Sequence, residues 1–567
     1  MRQSSTDKRV GMLLALAGFC LYLPTLFQSF VADDNIYLAF KNKFLRNSTW
    51  GNWYQAFTGR TNPWEYLPLR DLSYWLDFRL YEHEGMGFHA TNLIWYALAA
   101  LAAGLLFREL ILLCRPEWSA RTKTLTWFGA ALFIVHPVHV EAVAWVASRK
   151  DLMSGCFALL SAFVLTHNIR SKHWSFSGSV LTALLLLAAC FSKATGVAMV
   201  LFEAVLILSC WRRASDRCDA FGGTHISQVR KIAPLVLLCS VAALSVYISM
   251  KIGAETGIRA GNIVPFTDVI ERASRILSAF MKLLAWPHPL GLYHDVYAQG
   301  PWHWIASAFT IVAALTALFA LWLQPTLWAF GVILLLVPCL VYLQFTPFGT
   351  WSLASERFLF IPVAGLALIM IELCGRLSMR RAMIVVFVLF LPCAWLTWQR
   401  VNEWNEDAPK PLLVHDYERE PLFHNAIRDR VFTLSAKGHY DEAKRIANDA
   451  GRPWAVAVLD AVIDVAKGYG NDSMFAKLKA TSMQPSTPAV DEDDNLDKHK
   501  DQPRDIAAFC HAMPRLHKTL AAGWAALPQE PDLTYGNLLG SINREVTERY
   551  SFFEQRNCPV SVQKSSQ

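Results

Sequence analysis

Long apolar stretches alternate with short polar segments over the first 400 residues of the chain, whereas residues 401–567 have the pattern of a soluble helical protein. A helix needs about 20 apolar residues to cross a bilayer. The pattern predicts eleven such membrane helices, near 11–31, 90–112, 125–147, 152–168, 175–192, 194–211, 232–250, 302–323, 326–345, 358–374 and 382–399. We therefore expect an all-α polytopic membrane protein with a membrane domain over residues 1–400.

Basic residues between the apolar stretches indicate how the predicted helices are oriented. With the N-terminus inside, the cytoplasmic loops hold the basic clusters that the positive-inside rule requires: Arg115, Arg121, Lys123, Arg170, Lys172, Arg212, Arg213, Arg217, Arg376, Arg380 and Arg381. Residues 264–286 are helical by pattern but charged. We place them as an amphipathic helix on the outer membrane surface, because a crossing would move the last cluster outside. The C-terminal tail is then expected on the outer side, which for a bacterial inner membrane is the periplasm.

Two regions are expected to fold outside the bilayer. The first extracytoplasmic loop, 32–89, is rich in Trp, Tyr and charged residues, which is typical of interfacial helices. In the tail, residues 401–482 are expected to be helical, and their GHYDEA string, Gly438–Ala443, is similar to the turn of a tetratricopeptide unit or of a generic helical hairpin. An acidic, proline-containing linker over 483–503 is predicted to be disordered, and 504–567 to be helical.

Composition supports a membrane protein and excludes a nucleic-acid-binding one. Of the 567 residues, 54% are apolar, 17% are charged and 21 are tryptophan, whereas a typical soluble protein has about 25% charged residues. The basic loops account for much of the net charge of +7, so no nucleic-acid partner is indicated. Most of the 12 cysteines lie in apolar runs. Cys510 and Cys558 in the tail are able to pair if the tail is extracytoplasmic.

Asp33 and Asp34 directly follow the first membrane helix, in the string FVADDNIYLAF. Two adjacent carboxylates at a membrane boundary repel one another and are costly to desolvate. They are either a solvated acidic cap or a functional pair in a cleft that faces the outside, where one carboxylate acts as a general base. The functional interpretation leaves open a divalent cation, Mg²⁺ or Mn²⁺, bound by both. The sequence indicates no other cofactor.

Four cations fall at the predicted outer ends of membrane helices: Arg149, Lys150, Lys193 and Arg357. Such side chains either bind a phosphate or extend along the helix toward lipid headgroups. Lys193 and Arg357 are the strongest phosphate-binding candidates, because their neighbours in the sequence are apolar.

Further polar residues lie near the same helix ends, where they would contact substrate or satisfy neighbouring groups: His89, Asn92, His136, His139, Glu141 and Glu356. The spacing of His136, His139 and Glu141 would also suit a metal ion, with hydrogen bonding inside the protein as the alternative. Glu356 adjoins Arg357 and is expected to orient it.

Four strings, in this order, carry a family resemblance: ADD, YLPLRDLSYWLDFRLYEHEGMGFHATNLIWYAL, HPVHVEAVAWVASRKDLMSG and SERFLFIPVAGLAL. Their order and membrane placement resemble those of the transmembrane and tetratricopeptide-containing O-mannosyltransferases and their bacterial relatives, within the GT-C superfamily. The resemblance covers about residues 25–405. The chain departs from the family's pattern in its tail, which holds at most one repeat unit. It also has Leu67 where an arginine is expected, and Arg70 would substitute there.

The resemblance implies a GT-C fold and transfer of a sugar from a polyprenyl- or dolichyl-phosphate carrier to an acceptor on the outer membrane face. It implies that Asp33 deprotonates the acceptor hydroxyl, with Asp34 beside it. In-line attack at the anomeric carbon would invert its configuration. The departing lipid phosphate needs cations where its charge develops, and the candidates are Arg357, Lys193, Arg149, Lys150 and Arg70.

Several alternatives remain open at this point. The acceptor would be an exported protein such as a pilin, a surface glycan or a lipid. A lipid or sugar transporter is the second hypothesis, although the chain lacks the internal repeats and matched broken helices that are typical of transporters. A non-catalytic membrane scaffold is the third, and the acidic pair and the outward cations argue against it.

Overall fold

A computed structural model describes residues 2–28, 30, 34, 43–46, 49–60, 65–82, 84–171, 175–219, 225–256, 265–292, 294, 296, 300–345, 352–405, 427, 431, 434–435, 438–448, 453–469, 506–526 and 558. This part of the chain forms α-helices with short 3₁₀ segments and no β-strand, which confirms the all-α prediction. The chain divides into two compact units. The first comprises Met1–Leu290, Val296–Phe348 and Leu353–Ala408, and the second Gly291–Asp295, Gly349–Ser352 and Pro409–Gln567.

The first unit contains the predicted membrane helices. Its α-helices are α1 Arg2–Cys20, α2 Lys43–Arg46, α3 Gln55–Thr58, α4 Pro68–Tyr81, α5 Gly85–Cys114, α6 Thr122–Val135, α7 His139–Ala144, α8 Arg149–Arg170, α9 Phe176–Ser192, α10 Met199–Asp219, α11 His225–Thr256, α12 Phe266–Ala285, α13 Trp302–Leu323, α14 Leu327–Leu336, α15 Pro362–Arg376 and α16 Met379–Glu403.

Six helical segments of the described chain are long and apolar enough to cross a membrane: Arg9–Phe27, Gly85–Cys114, Val146–Arg170, Ile232–Glu255, Trp302–Leu323 and Met379–Glu403. Four shorter apolar segments accompany them: Thr122–Val135, Phe176–Ser192, Ala194–Cys210 and Leu327–Tyr342. The chain is therefore a multi-pass membrane protein, and the count of eleven crossings stays a prediction. The charged helix α12 is not among these candidates.

Proline divides two of the predicted helices. The predicted helix 125–147 is interrupted at Pro137, and the chain resumes its helical course as α7. The predicted helix 326–345 changes to 3₁₀ geometry over Val337–Tyr342, where Pro338 takes one of the first positions. Proline lacks the N–H that an α-helix needs and clashes with the preceding turn. In both places, the break puts irregular backbone near the candidate site.

One end of the first unit is basic and is held together by contacts between helices. Arg121 donates hydrogen bonds to carbonyls at the C-terminal end of α15, with a distance of 2.9 Å to Leu377 O. Arg115 forms an ion pair with Glu372 of α15, and Arg170 of α8 bonds to buried Glu109 of α5 at 2.7 Å. The C-terminal ends of α5, α8 and α15 therefore lie together, and the opposite ends of α8 and α15 carry candidate site residues.

Two glycines bring α14 and α15 into backbone contact. A Cβ atom on Gly365 would lie 2.3 Å from Leu335 N and 2.5 Å from Gly331 O, so only glycine fits there. Small residues allow such close helix crossings in membrane proteins. The crossing sets the distance between the 3₁₀ segment that follows α14 and the 3₁₀ turn Glu356–Leu359 that precedes α15.

The loop between α1 and α5 is folded in its described part. Helix α4 packs through Tyr74 and Trp75 against Phe30, Phe88 and Val146. The Tyr74 hydroxyl donates to Val146 O at 2.8 Å. The loop is therefore fixed to the segment that precedes α8.

The second unit is helical, with α17 Tyr440–Asn448, α18 Pro453–Tyr469 and α19 Ile506–Ala526. The GHYDEA string forms the predicted turn: Gly438 has a φ of 79°, and His439 N donates to Leu434 O at 2.9 Å. A positive φ of this size favours glycine.

Helices α18 and α19 pack against each other around an apolar core. Cys510 of α19 forms a disulfide with Cys558, 48 residues later in the chain. The predicted disordered linker 483–503 lies outside the described residues, and the predicted domain boundaries stay predictions.

Candidate functional site

The polar string between α6 and α8 lies inside the first unit. Its His139 is fully buried, and the two nitrogens of its ring have different partners. Nδ1 lies 3.2 Å from the Tyr96 hydroxyl of α5, and Nε2 lies 3.2 Å from Phe360 O, just before α15. The string therefore joins α5 to the start of α15.

Arg357 is held by Glu141 of the same string. The Glu141 carboxylate is fully buried and accepts hydrogen bonds from the Arg357 guanidinium and from Arg357 N, the latter at 2.8 Å. The guanidinium also lies 4.9 Å from the ring centroids of both Trp145 and Phe358. Main chain and side chain of Arg357 are thus both fixed.

Lys193 lies at the C-terminal end of α9 and pairs with Asp151 in the first turn of α8. Its Nζ is 2.5 Å from Asp151 Oδ1 and about 5 Å from the ring centroids of Tyr342 and Phe358. Burial alone would lower the pKa of Lys193, but the Asp151 carboxylate outweighs this and raises the pKa above its ordinary value. Lys193 therefore stays protonated.

Arg357 and Lys193 line one cavity, which is partly open to its surroundings. Its wall consists of Asp151, Ser154, Lys193, Thr195, Gly196, Pro338, Tyr342, Arg357, Phe358, Phe360 and Ile361. Among the described residues, Asp151 Oδ2 and Ser154 Oγ are buried without a hydrogen-bond partner. The cavity thus combines two fixed cations, stacked aromatic rings and polar atoms without a partner. This combination suits a ligand that carries both an anionic group and several hydroxyl groups.

Arg149, another predicted phosphate-binding residue, uses its guanidinium for contacts inside the protein. Its guanidinium is 0% exposed and lies 2.6 Å from Asp77 of α4. It also donates to Asn92 Oδ1 at 2.8 Å and to Phe88 O at 2.9 Å. Arg149 therefore fastens the loop helix α4 onto α5 and does not line the cavity.

Lys150 and Arg70 share a carboxylate of the first loop. Lys150 Nζ lies 2.8 Å from Glu65, and Arg70 pairs with both Glu65 and Asp71. Burial would raise the pKa of Glu65, but the two cations lower it well below its ordinary value. Neither cation is part of the cavity wall: Arg70 lies in α4 of the folded loop, and Lys150 lies in the first turn of α8.

The remaining predicted polar residues connect elements around the site. His89 is buried and stacks on Phe30 at 6.4 Å. Asn92 donates to Val143 O at 3.1 Å, and His136 Nε2 lies 3.3 Å from a carbonyl of α12. Glu356 pairs with Arg400 at 3.4 Å, so the orienting role expected of Glu356 falls to Glu141.

No group of three or more His, Cys, Asp or Glu side chains that could hold a metal ion occurs in the described part of the chain. The ring nitrogens of His139 are used by Tyr96 and Phe360, and Glu141 is used by Arg357. The spacing of His136, His139 and Glu141 therefore serves packing between helices. A cation at Asp33 and Asp34 stays a prediction, because Asp33 lies outside the described residues.

Asp34 is buried against the start of the turn that leads into α8. Its Oδ1 accepts a hydrogen bond from Ala147 N at 2.6 Å and its Oδ2 one from Val146 N at 3.3 Å. These two residues follow Trp145, whose ring lies against Arg357. One short segment therefore contacts both Asp34 and the cavity cation Arg357.

Four polar residues of the cavity wall were not predicted from the sequence: Asp151, Ser154, Thr195 and Tyr342. Asp151 carries a signal that could have found it, because a carboxylate at the start of an apolar helix needs a partner. Thr195 and Tyr342, whose hydroxyls are 2.9 Å apart, have no comparable signal in apolar surroundings.

No family model matches the chain, and no solved structure matches it. Several curated proteins are similar to the chain. Protein O-mannosyl-transferase Tmtc1 of Drosophila melanogaster is 30% identical over 203 residues, covering 33% of this chain and 22% of the relative. Protein O-mannosyl-transferase F38B6.6 of Caenorhabditis elegans is 26% identical over 175 residues, covering 30% and 24%. Protein O-mannosyl-transferase TMTC4 of Mus musculus is 24% identical over 479 residues, covering 75% and 62%.

The resemblance to the O-mannosyltransferases is confirmed. The chain spans less than two thirds of the length of each of these three relatives.

The roles of Arg149 and its neighbour can be separated by one substitution at each. Arg149→Gln leaves Asp77 as a buried charge without its partner and should lower the free energy of unfolding by about 3–5 kcal/mol. Lys150→Gln, whose partner Glu65 is partly exposed, should cost less than about 1 kcal/mol. Thermal unfolding in detergent measures both. Equal stability of the two variants would contradict the bracing role of Arg149.

Proposed function

We propose that the chain is a membrane glycosyltransferase that moves a sugar from a polyprenyl-phosphate carrier to a hydroxyl of an exported protein, with inversion at the anomeric carbon. The convergence of Arg357 and Lys193 in one cavity is the observation that carries the proposal. The relatives named protein O-mannosyl-transferases support the reaction class.

The two cations suit a leaving lipid phosphate. Arg357 and Lys193 are fixed by Glu141 and Asp151, so they would need no rearrangement as negative charge develops on the phosphate. The rings of Tyr342 and Phe358 exclude water beside them and strengthen the electrostatic interaction. The unpartnered oxygens of Asp151 and Ser154 would accept hydrogen bonds from sugar hydroxyls.

The acceptor hydroxyl needs a base, and the contacts of Asp34 favour Asp33 in that role. Both oxygens of Asp34 accept backbone hydrogen bonds, so its carboxylate is already engaged in holding the loop against Val146 and Ala147. Asp34 would therefore position the loop, while Asp33 takes the proton as the sugar–phosphate bond breaks. An alcohol is a poor nucleophile at neutral pH, so this proton transfer is required.

The proposed location is a bacterial inner membrane, with the cavity and the tail on the periplasmic side. The helix ends that carry Arg115, Arg121 and Arg170 face away from the cavity, and basic ends lie inside by the positive-inside rule. The disulfide between Cys510 and Cys558 supports an oxidising compartment for the tail.

Removal of either cavity cation should reduce transfer. We expect Lys193→Gln or Arg357→Gln to lower kcat on a polyprenyl-phosphate sugar by a factor of about 10²–10³, measured with the purified protein in detergent. Lys150→Gln, outside the cavity, should retain activity.

A double variant separates chemistry from folding. Arg357→Gln combined with Glu141→Gln removes both charges, so no buried carboxylate is left unpaired. If the double variant regains normal turnover, Arg357 serves only to neutralise Glu141 and its proposed role is wrong.

Asp33→Asn should abolish transfer while donor binding persists, because it preserves size and removes basicity. A positioned general base contributes a factor of about 10²–10⁴. Asp34→Asn should be milder, since an amide can still accept one of the two backbone hydrogen bonds. Rates and donor affinities measured in parallel test this. Near-normal transfer by both variants would overturn the glycosyltransferase proposal.

Fusion reporters test the proposed orientation. A reporter enzyme that folds only outside the cytoplasm should be active when fused after Gln567 and inactive after Lys172. A stably produced but inactive fusion after Gln567 would place the tail inside and mean that 264–286 crosses the membrane.

A further inference from the structure

Arg272, on α12, is a buried cation that lacks a partner within the described chain. The residue is 6% exposed, and its Nε and Nη1 atoms are buried without a hydrogen-bond partner. Charged groups inside proteins are normally paired, because an unpaired buried ion is strongly destabilising. Arg272 is therefore placed to meet an anion that the described part of the chain does not supply.

The carboxylates nearest in sequence have other partners. Glu271 pairs with Arg275 one helical turn later, at 2.7 Å. Asp268 lies on the exposed side of the helix and accepts from the Thr267 hydroxyl at 3.0 Å. Neither of these two carboxylates therefore pairs with Arg272, which lies on the packed face of α12.

Arg272 lies apart from the cavity described above. It shares the buried face of α12 with Phe280, whose ring contacts those of Tyr342 and Phe358 at 6.4 Å. Eight residues of helix separate Arg272 from Phe280, about 12 Å along the axis, and Arg272 is not part of the cavity wall.

Exposed aromatic residues lie at both ends of α12 and at the start of α13. Phe266 is 77% exposed at its start and Trp286 70% exposed just after its end, while Trp302 and Trp304 of α13 are 72% and 47% exposed. Aromatic residues of this kind concentrate at the membrane–water interface. Lipid phosphates lie at that same depth, so the anion that is available there in quantity is a phosphate.

We propose that Arg272 binds the phosphate group of a membrane lipid, at a site on α12 that is separate from the Lys193–Arg357 cavity. The lipid is either a bulk anionic phospholipid or the polyprenyl phosphate carrier without its sugar. Phosphate binding would satisfy the guanidinium and fasten α12 to the membrane surface. The inference does not require that the chain transfers sugar.

Lipid binding to the purified protein in detergent tests the proposal. Phosphatidylglycerol, polyprenyl phosphate and diacylglycerol, which lacks a phosphate, are added separately, and bound lipid is counted by native mass spectrometry. Arg272→Gln should weaken phosphate-lipid binding at least about tenfold. Arg275→Gln is the matched control, since Arg275 lies on the same helix and already has a carboxylate partner.

The pattern of losses identifies the lipid. Loss of phosphatidylglycerol binding assigns the site to a phospholipid, loss of polyprenyl phosphate binding alone assigns it to the carrier, and loss of both assigns it to phosphate on either lipid. Equal losses in the Arg272 and Arg275 variants, or equal binding of diacylglycerol by the unmodified protein, would overturn the proposal.

Arg272→Met keeps the test decisive if the glutamine variant does not fold. This variant replaces an unpaired charge with an apolar chain of similar length, so without lipid it should be at least as stable as the unmodified protein. A phosphate lipid that binds should raise the Tm of the unmodified protein and of Arg275→Gln, but not that of Arg272→Met. An equal rise in all three would contradict binding at Arg272.

Discussion

The ion pair between Glu141 and Arg357 joins two segments that are 216 residues apart in the chain. Glu141 binds both the main-chain N–H and the guanidinium of Arg357, so one carboxylate fixes the backbone of a turn and the direction of its side chain. A buried pair of this kind is strongly destabilising to break, by about 3–5 kcal/mol, because one charge is then left alone. The Glu141–Arg357 pair therefore supports the cavity wall, the approach of α15 to α7 and the position of Trp145.

Paired charges also determine what the cavity is able to bind. Arg357 and Lys193 each have one carboxylate partner, so the four groups together are neutral before a ligand enters. The partners hold the cations in place and thereby reduce the reorganisation that binding of an anion would require. Arg272 differs in this respect, because its charge is buried without such a partner among the described residues.

The first loop depends on the same segment as the cavity. Arg149 fastens α4 through Asp77, and Asp34 is held by the backbone of Val146 and Ala147. These contacts lie within a few residues of Trp145, which touches Arg357. A displacement of this segment would therefore move Asp34 and the cavity cation Arg357 together.

The sequence by itself determined where most of the described helices lie, because hydropathy and periodicity are local properties. Residues 302–323 coincide with α13, and the charged pattern at 264–286 became α12, Phe266–Ala285. The sequence also singled out Lys193 and Arg357, since a charge among apolar neighbours has a high desolvation cost and needs a reason to be there.

Only the tertiary structure decided which cations share a cavity. Arg149 and Lys193 look alike in the sequence, as cations at the predicted outer ends of apolar helices. In the structure, Arg149 pairs with Asp77 away from the cavity, whereas Lys193 lines the cavity. The same holds for Glu141, which was a candidate metal ligand by spacing and is the partner of Arg357 in space. The physical reason is that a charge takes whichever opposite charge the packing of the helices brings within a few ångströms, and those partners are distant in the chain.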